Sequence, residues 1–181
     1  MRTHLASLFL SAALTPACLA QSSSPAIFVA NEGNLEGSVT SFLVEPDGAL
    51  SFVDRVITGM RNTTSEPCPG CNTYAIDITP DGRFLATSHA SGDNDENFTV
   101  YQVASDATIS VVETITVPQG GLDLAWVRDD LLAVCITDLG GGNELRLYNW
   151  DANTQQLTQT DTDASGSFLT SLTVHPSGRW I

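Results

Sequence analysis

Two aspartates sit inside apolar triplets, Ile76-Asp77-Ile78 and Leu122-Asp123-Leu124, and Leu172-Thr173-Val174 repeats the setting with a hydroxyl. A carboxylate flanked by inward-facing aliphatics is costly unless it meets water, a ligand or a hydrogen-bonding partner. Two readings are open: Asp77, Asp123 and Thr173 line one polar channel mouth as a binding site, or the carboxylates bond to the backbone of a neighbouring element. A second cluster, Asp93-Asn94-Asp95-Glu96-Asn97, gathers the hard oxygen ligands that Ca²⁺ takes. Asp93, Asp95 and Glu96 would be its charged ligands. The cluster lacks the sixth-position glycine and the closing bidentate glutamate of an EF-hand loop, so a solvated loop competes with a metal site.

Cys68-Pro69-Gly70-Cys71 invites three chemistries. Covalent haem attachment needs a histidine after the second cysteine, and Asn72 stands there. Zinc needs two further ligands, and no second Cys or His pair has a matching spacing. A thioredoxin-like pair wants a helix N-terminus to lower a thiol pKa, whereas this stretch reads as a loop between strands. The remaining reading is a short-range disulfide, Cys68 to Cys71, pinning a loop in an oxidising compartment. Cys135, inside Leu131-Leu132-Ala133-Val134-Cys135-Ile136, reads as a small buried hydrophobe. His89 has no visible partner, and His175 belongs to a Pro-containing turn.

The elements that position these residues follow from a repeat. Ile78-Thr79-Pro80-Asp81-Gly82-Arg83-Phe84-Leu85 returns as Val174-His175-Pro176-Ser177-Gly178-Arg179-Trp180-Ile181, with a worn copy at residues 122–133. Tyr101 and Tyr148 are 47 residues apart, Ile109 and Leu157 are 48 apart, and Leu85, Leu132 and Ile181 follow at 47 and 49. The unit opening at Ile27-Phe28-Val29-Ala30 runs about ten residues longer, which places one inserted loop at residues 62–72. Within each unit, short runs rich in Val, Ile, Thr, Phe and Tyr alternate with Pro-Asp-Gly and similar turns, and no helical period appears beyond the N-terminus. In each corner Pro80 or Pro176 fixes φ, and Gly82 or Gly178 can adopt positive φ. Arg83 and Arg179 then either pair with a neighbouring unit's carboxylate or remain solvated turn cations.

Four strands in about 47 residues, repeated, fit an all-β fold, a β-propeller of four-stranded antiparallel blades. The units fall at residues 26–61, 73–119, 120–166 and 167–181, which together make 21–181 the N-terminal part of one propeller domain. The first unit starts at its second strand, so its innermost strand is expected from the far end of the chain. Three units plus the start of a fourth fall short of a ring of roughly four to eight blades, so the propeller is expected to be incomplete. Equivalent residues on innermost strands converge on one central channel, which is why Asp77, Asp123 and Thr173 are the positions to watch.

The order of strand, Pro-Asp-Gly-Arg corner, strand and Gly-Ala-Leu turn resembles the seven-bladed lactonase-type propellers. Those include bacterial 6-phosphogluconolactonases and fungal carboxymuconate-cyclising enzymes, with YVTN-repeat surface proteins related to them. Val44-Glu45-Pro46-Asp47-Gly48-Ala49-Leu50-Ser51 and the two corner copies above carry the resemblance. It implies a full ring of seven blades and a small-molecule lactone substrate that is hydrolysed or formed by cyclisation. Family members tend to place His and Arg shortly before the corner of central blades; here Tyr74 and Ala75, then Thr170 and Ser171, hold those positions. The catalytic groups are therefore not carried over, and a non-catalytic propeller binding an extracellular protein or glycan is the alternative. No cofactor is implied.

Residues 1–20 read as a secretory signal peptide, with Met1-Arg2-Thr3-His4, an apolar core over 5–14 and a small-residue cleavage site before Gln21. Ten apolar residues are too few to span a bilayer. The expected location is secreted or periplasmic, with a lipid anchor on Cys18 as the lesser alternative, because Thr15-Pro16-Ala17 is a poor lipoprotein box. Twenty-one acidic residues, seven arginines and no lysine give a net charge of −14, which disfavours nucleic acid and anionic membrane surfaces as partners.

Overall fold

A computed structural model describes residues 24–31, 37–58, 73–89, 96–117, 120–137, 142–164 and 169–175. Eleven strands and no helix occur among them. Sheet 1 has the order β1 (Ala26–Asn31), β2 (Ser38–Val44), β3 (Leu50–Ile57). Sheet 2 comprises β4 (Ile76–Ile78), β5 (Phe84–Ser88), β6 (Glu96–Val103) and β7 (Ile109–Thr116). Sheet 3 comprises β8 (Gly120–Arg128), β9 (Leu131–Thr137), β10 (Glu144–Asp151) and β11 (Gln156–Ala164). All pairings are antiparallel and sequential. Among the described residues sheet 1 has no strand that corresponds to β4 and β8. Residues 169–175 follow the repeat without forming a ladder, so the strand expected around Leu172 is not present as one.

The corner between β4 and β5 explains its sequence. Gly82 takes φ +73°, its N–H donates to the Thr79 carbonyl at 2.8 Å, and Asp81 Oδ1 accepts from the Thr79 hydroxyl at 2.7 Å and the Arg83 N–H at 3.0 Å. Arg83 pairs through Nε with Asp81 of its own turn and lies 5.7 Å over the Phe84 ring. Of the two readings, a neighbouring unit's carboxylate and a solvated turn cation, Arg83 stands nearer the second: it stays largely exposed and pairs with Asp81 two residues away, whose carboxylate is already held by the Thr79 hydroxyl and the Arg83 N–H. Arg179 lies outside the described residues.

The outer hairpins share a second turn. Gly48, Ala107 and Gln155 occupy the left-handed region at φ +84°, +66° and +55°, each two residues before an apolar strand position: Leu50, Ile109 and Leu157. Only the first is a glycine, so two of the three turns hold a residue for which that region is uncommon.

Strand alternation separates two cores. Phe84, Ala86, Phe98 and Val100 point from sheet 2 toward sheet 3, where Leu124, Trp126, Leu132, Val134, Ile136, Tyr148 and Trp150 meet them. Phe84 packs edge-on to Trp150 at 5.1 Å and Phe98 to Tyr148 at 5.0 Å. The opposite side of the same strands presents Leu85 and Tyr101 to Val39 of sheet 1.

Candidate functional site at the inner sheet edges

β4 and β8 end their sheets in the strand order, so the N–H groups on their outer side have no ladder partner. Beside them, residues 172–175 complete the wall of an open cleft of about 750 Å³. Asp77, Asp123, Thr173, Trp126, Arg128 and His175 are among its lining residues. The structure therefore brings the three sequence-selected residues to one cleft.

It also gives the two carboxylates partners. Asp77 Oδ2 accepts the Trp126 N–H of the next sheet at 2.7 Å. Asp123 Oδ1 accepts the adjacent Leu124 N–H at 2.9 Å, and its Oδ2 accepts the Leu172 N–H at 2.8 Å. Leu124 and Trp126 donate from the unpaired edge of β8, so both donors are capped by aspartate. Burial pushes the Asp77 carboxyl above its ordinary value, and the Trp126 and Ile78 N–H groups offset that rise only in part, with Asp123 nearby adding to it. Thr173 is exposed and half-buried Leu172 precedes it.

Sequence reasoning missed the donors, since a backbone N–H leaves no mark in the side chains. The same device recurs elsewhere between sheets: Asp54 Oδ2 accepts Ile109 N–H at 3.1 Å, Glu113 Oε2 accepts Leu157 N–H at 2.6 Å and Asp129 Oδ1 accepts Asp81 N–H at 2.9 Å. The spacings of 55, 44 and 48 residues echo the repeat, which is the signal that could have suggested them. Arg128 on the cleft rim pairs with Asp130 at 2.9 Å, an exposed contact of small energetic weight.

The remaining sequence-selected residues divide clearly. Cys135 is buried, and burial raises its thiol to about 11, with Asp123 contributing, so it is no nucleophile at neutral pH. His89 is fully buried at the end of β5. Tyr74 is exposed, and Thr170 and Ser171 are likewise exposed polar residues. Cys18, Cys68, Cys71, Asp93 and Asp95 lie outside the described residues, as does the Glu96 side chain. Among the described residues no three His, Cys, Asp or Glu side chains group as metal ligands, and no helix is long and apolar enough to cross a membrane.

No family model and no curated protein sequence matches this chain. Solved structures do. A putative 6-phosphogluconolactonase from Bacteroides uniformis is similar with a TM-score of 0.60 at 12% identity, over 96% of this chain and 51% of its own. The periplasmic gluconolactonase of Pseudomonas aeruginosa gives 0.53 at 19% identity, over 72% and 35%. A Lactobacillus plantarum protein gives 0.57 at 20% identity, over 77% and 39%. The chain thus spans between about a third and a half of these neighbours' lengths. At these identities the likeness is one of fold.

Proposed function

We propose that this chain is the N-terminal part of an exported, lactonase-like β-propeller whose inner cleft holds a small ring ester. The observation that carries the reading is the convergence of Asp77, Asp123 and Thr173 on one cleft of about 750 Å³, in a fold shared with a periplasmic gluconolactonase and a putative 6-phosphogluconolactonase. That volume falls within the range of roughly 300–1,000 Å³ usual for small-molecule sites. Opening a lactone requires water to attack the ring carbonyl while a base removes its proton and donors hold the developing oxyanion. Asp77 and Asp123 each hold backbone N–H groups, so their role is to fix the inner edges against which the ring lies. Thr173, exposed beside them, offers a hydroxyl to the substrate. The negative field of the chain favours an uncharged lactone over a phosphorylated one.

The second reading, a non-catalytic module that binds an extracellular protein or glycan, draws support from those same N–H bonds: both inner carboxylates are used structurally. Titrating acid release from δ-gluconolactone at constant pH, with the full-length natural protein and the spontaneous rate subtracted, separates the two. Catalysed release that falls in Thr173→Val, at unchanged melting temperature, supports the lactonase reading. No rate above the spontaneous one, together with no lactone binding by calorimetry, removes it.

A further inference from the structure

Three aromatic rings fill the wedge between sheets 2 and 3. Phe84 meets Trp150 at 5.1 Å, Trp126 meets Trp150 at 6.4 Å, and all three are buried. The repeat register identifies the residues that hold the same three places between sheets 1 and 2. The carbonyls of Pro25, Arg83 and Asp130 accept the N–H groups of Val44, Val103 and Trp150 at 2.8, 2.8 and 2.9 Å. Val103 is therefore the counterpart of Trp150, and Ala26, which follows Pro25, is the counterpart of Phe84, which follows Arg83. Ladder pairing agrees, since Ala26 lies opposite Leu43 as Phe84 lies opposite Gln102. Ile78 lies opposite Leu85, and Trp126 lies opposite Leu132, the leucine 47 residues on. Ala26, Ile78 and Val103 thus stand where Phe84, Trp126 and Trp150 stand in the next interface.

The space that the rings fill in one interface is open in the other. Ala26, Ile78 and Val103 line a single cleft of about 710 Å³ between sheets 1 and 2, with Phe28, Leu43 and Ala107 as further apolar wall. Leu43 and Ala107 continue the same replacement, because their counterparts Gln102 and Gln155 reach each other across sheets 2 and 3 at 3.4 Å. The Val103 N–H is held by the Arg83 carbonyl and the Ala107 N–H by the Ala104 carbonyl, so the walls are fixed by backbone bonds and what they lack is side-chain volume. Apolar wall left against water is area that a ligand can remove from it. Among the described residues this cleft shares only Ile78 with the inner cleft, so it stands apart from the lactone reading.

The rim sets the charge of what can enter. Asp81, Arg83 and Asp106 stand there. Arg83 is paired through Nε with Asp81, and exposed Asp106 leaves the rim net negative on a chain of net charge −14. Such a rim accepts a hydrogen bond from a ligand and repels an anion.

We propose that the cleft between sheets 1 and 2 binds an uncharged aromatic molecule carrying a ring N–H or O–H, its ring taking the place that Trp150 takes between sheets 2 and 3. The ring lies against Phe28, Ile78 and Val103, and its donor turns to the rim carboxylates. The volume is within the range of roughly 300–1,000 Å³ usual for small-molecule sites.

Indole, which is the Trp150 side chain without its backbone, is the probe. Titrated into the full-length natural protein with labelled Val and Ile methyls, it should give saturable shifts at Val103 and Ile78, with a Kd of about 1 mM or tighter. Val103→Trp supplies the ring from the chain itself, so it should abolish indole binding and melt no lower than wild type. Indole-3-acetate, the same ring with a carboxylate, should bind more weakly than indole. No saturable shift at Val103, indole binding that persists in Val103→Trp, or tighter binding of the acid overturns the proposal. Should Val103→Trp not fold, nuclear Overhauser contacts in the wild type decide: contacts from the ring to the Val103 methyls support the site, and contacts confined to Leu124 and Val174 of the inner cleft refute it.

Discussion

Asp77 offers a test in which two substitutions at one position should diverge. Asp77→Ala removes the acceptor 2.7 Å from the Trp126 N–H and leaves that donor on an edge with no further strand. Hydrogen bonds to a charged group contribute about 1.5–3 kcal/mol. The site is only half-buried, so water in the cleft recovers part of the loss, and dehydration of the carboxylate already offsets part of the gain. A net cost of about 1–2 kcal/mol remains, which for a chain of this size lowers Tm by roughly 2–8 °C. Asp77→Asn keeps an acceptor oxygen of equal reach and sheds the dehydrated charge, so it should lie within about 0.5 kcal/mol of wild type.

The pH dependence carries its own sign. Since the folded Asp77 value is raised, its contribution is complete below the ordinary value of 3.8 and declines as pH rises through the folded one. Relative to wild type, Asp77→Asn should therefore gain stability between pH 4 and pH 7. Melts followed by far-UV circular dichroism at both pH values measure all of this. An Asp77→Ala protein that melts with wild type would refute the bracing argument and leave Asp77 as a group that acts on a ligand, whereas an Asp77→Asn protein that loses as much as the alanine variant would show that the brace needs the charge.

Leu132 is fully buried between sheets 2 and 3, so Leu132→Ala should cost about 2–5 kcal/mol in denaturant unfolding, and a cost under 1 kcal/mol would show that this core is not the dominant one. Cys135, buried and with its thiol raised to about 11, should resist Ellman's reagent until the chain unfolds; titration of the unfolded, unreduced mature protein should then find one free thiol, whereas three would exclude a Cys68–Cys71 disulfide.

What the sequence made legible was whatever has a period. The recurring corner and the 47-residue landmarks placed strands β1 to β11 in three units, and the missing first strand of sheet 1 followed from the same count. Turn chemistry was half legible: Gly48 and Gly82 announce their positive φ, while Ala107 and Gln155 reach the same region with side chains that give no warning. The site was legible as a location and not as a set of bonds. Ile-Asp-Ile and Leu-Asp-Leu marked two polar groups among aliphatics, yet whether they faced a ligand or a backbone depended on edge donors 49 residues away. His89 was hidden for a further reason. Its environment depends on which side of β5 it falls and what the next sheet places there, and a lone histidine after a strand encodes neither.

The carboxylate bonds also bear on the acidic composition. A chain with 21 acidic residues, seven arginines and no lysine cannot pair most of its carboxylates with side-chain cations. Among the described residues, Asp54, Asp77, Glu113, Asp123 and Asp129 instead accept backbone N–H groups from a neighbouring sheet or segment. An N–H donor is fixed in place by the strand it belongs to, so such a bond orders only one side chain, whereas an ion pair orders two long ones. It also fixes the offset between sheets, because the donor is one particular residue on an edge. Each of these positions therefore serves register as well as charge. The described ion pairs, Arg83 with Asp81, Arg128 with Asp130 and Arg146 with Glu144, all join residues two apart and hold no two sheets together. Salt that screens surface charge should accordingly alter solubility far more than it alters sheet-to-sheet docking, which rests on the buried apolar clusters and on short contacts to half-buried donors.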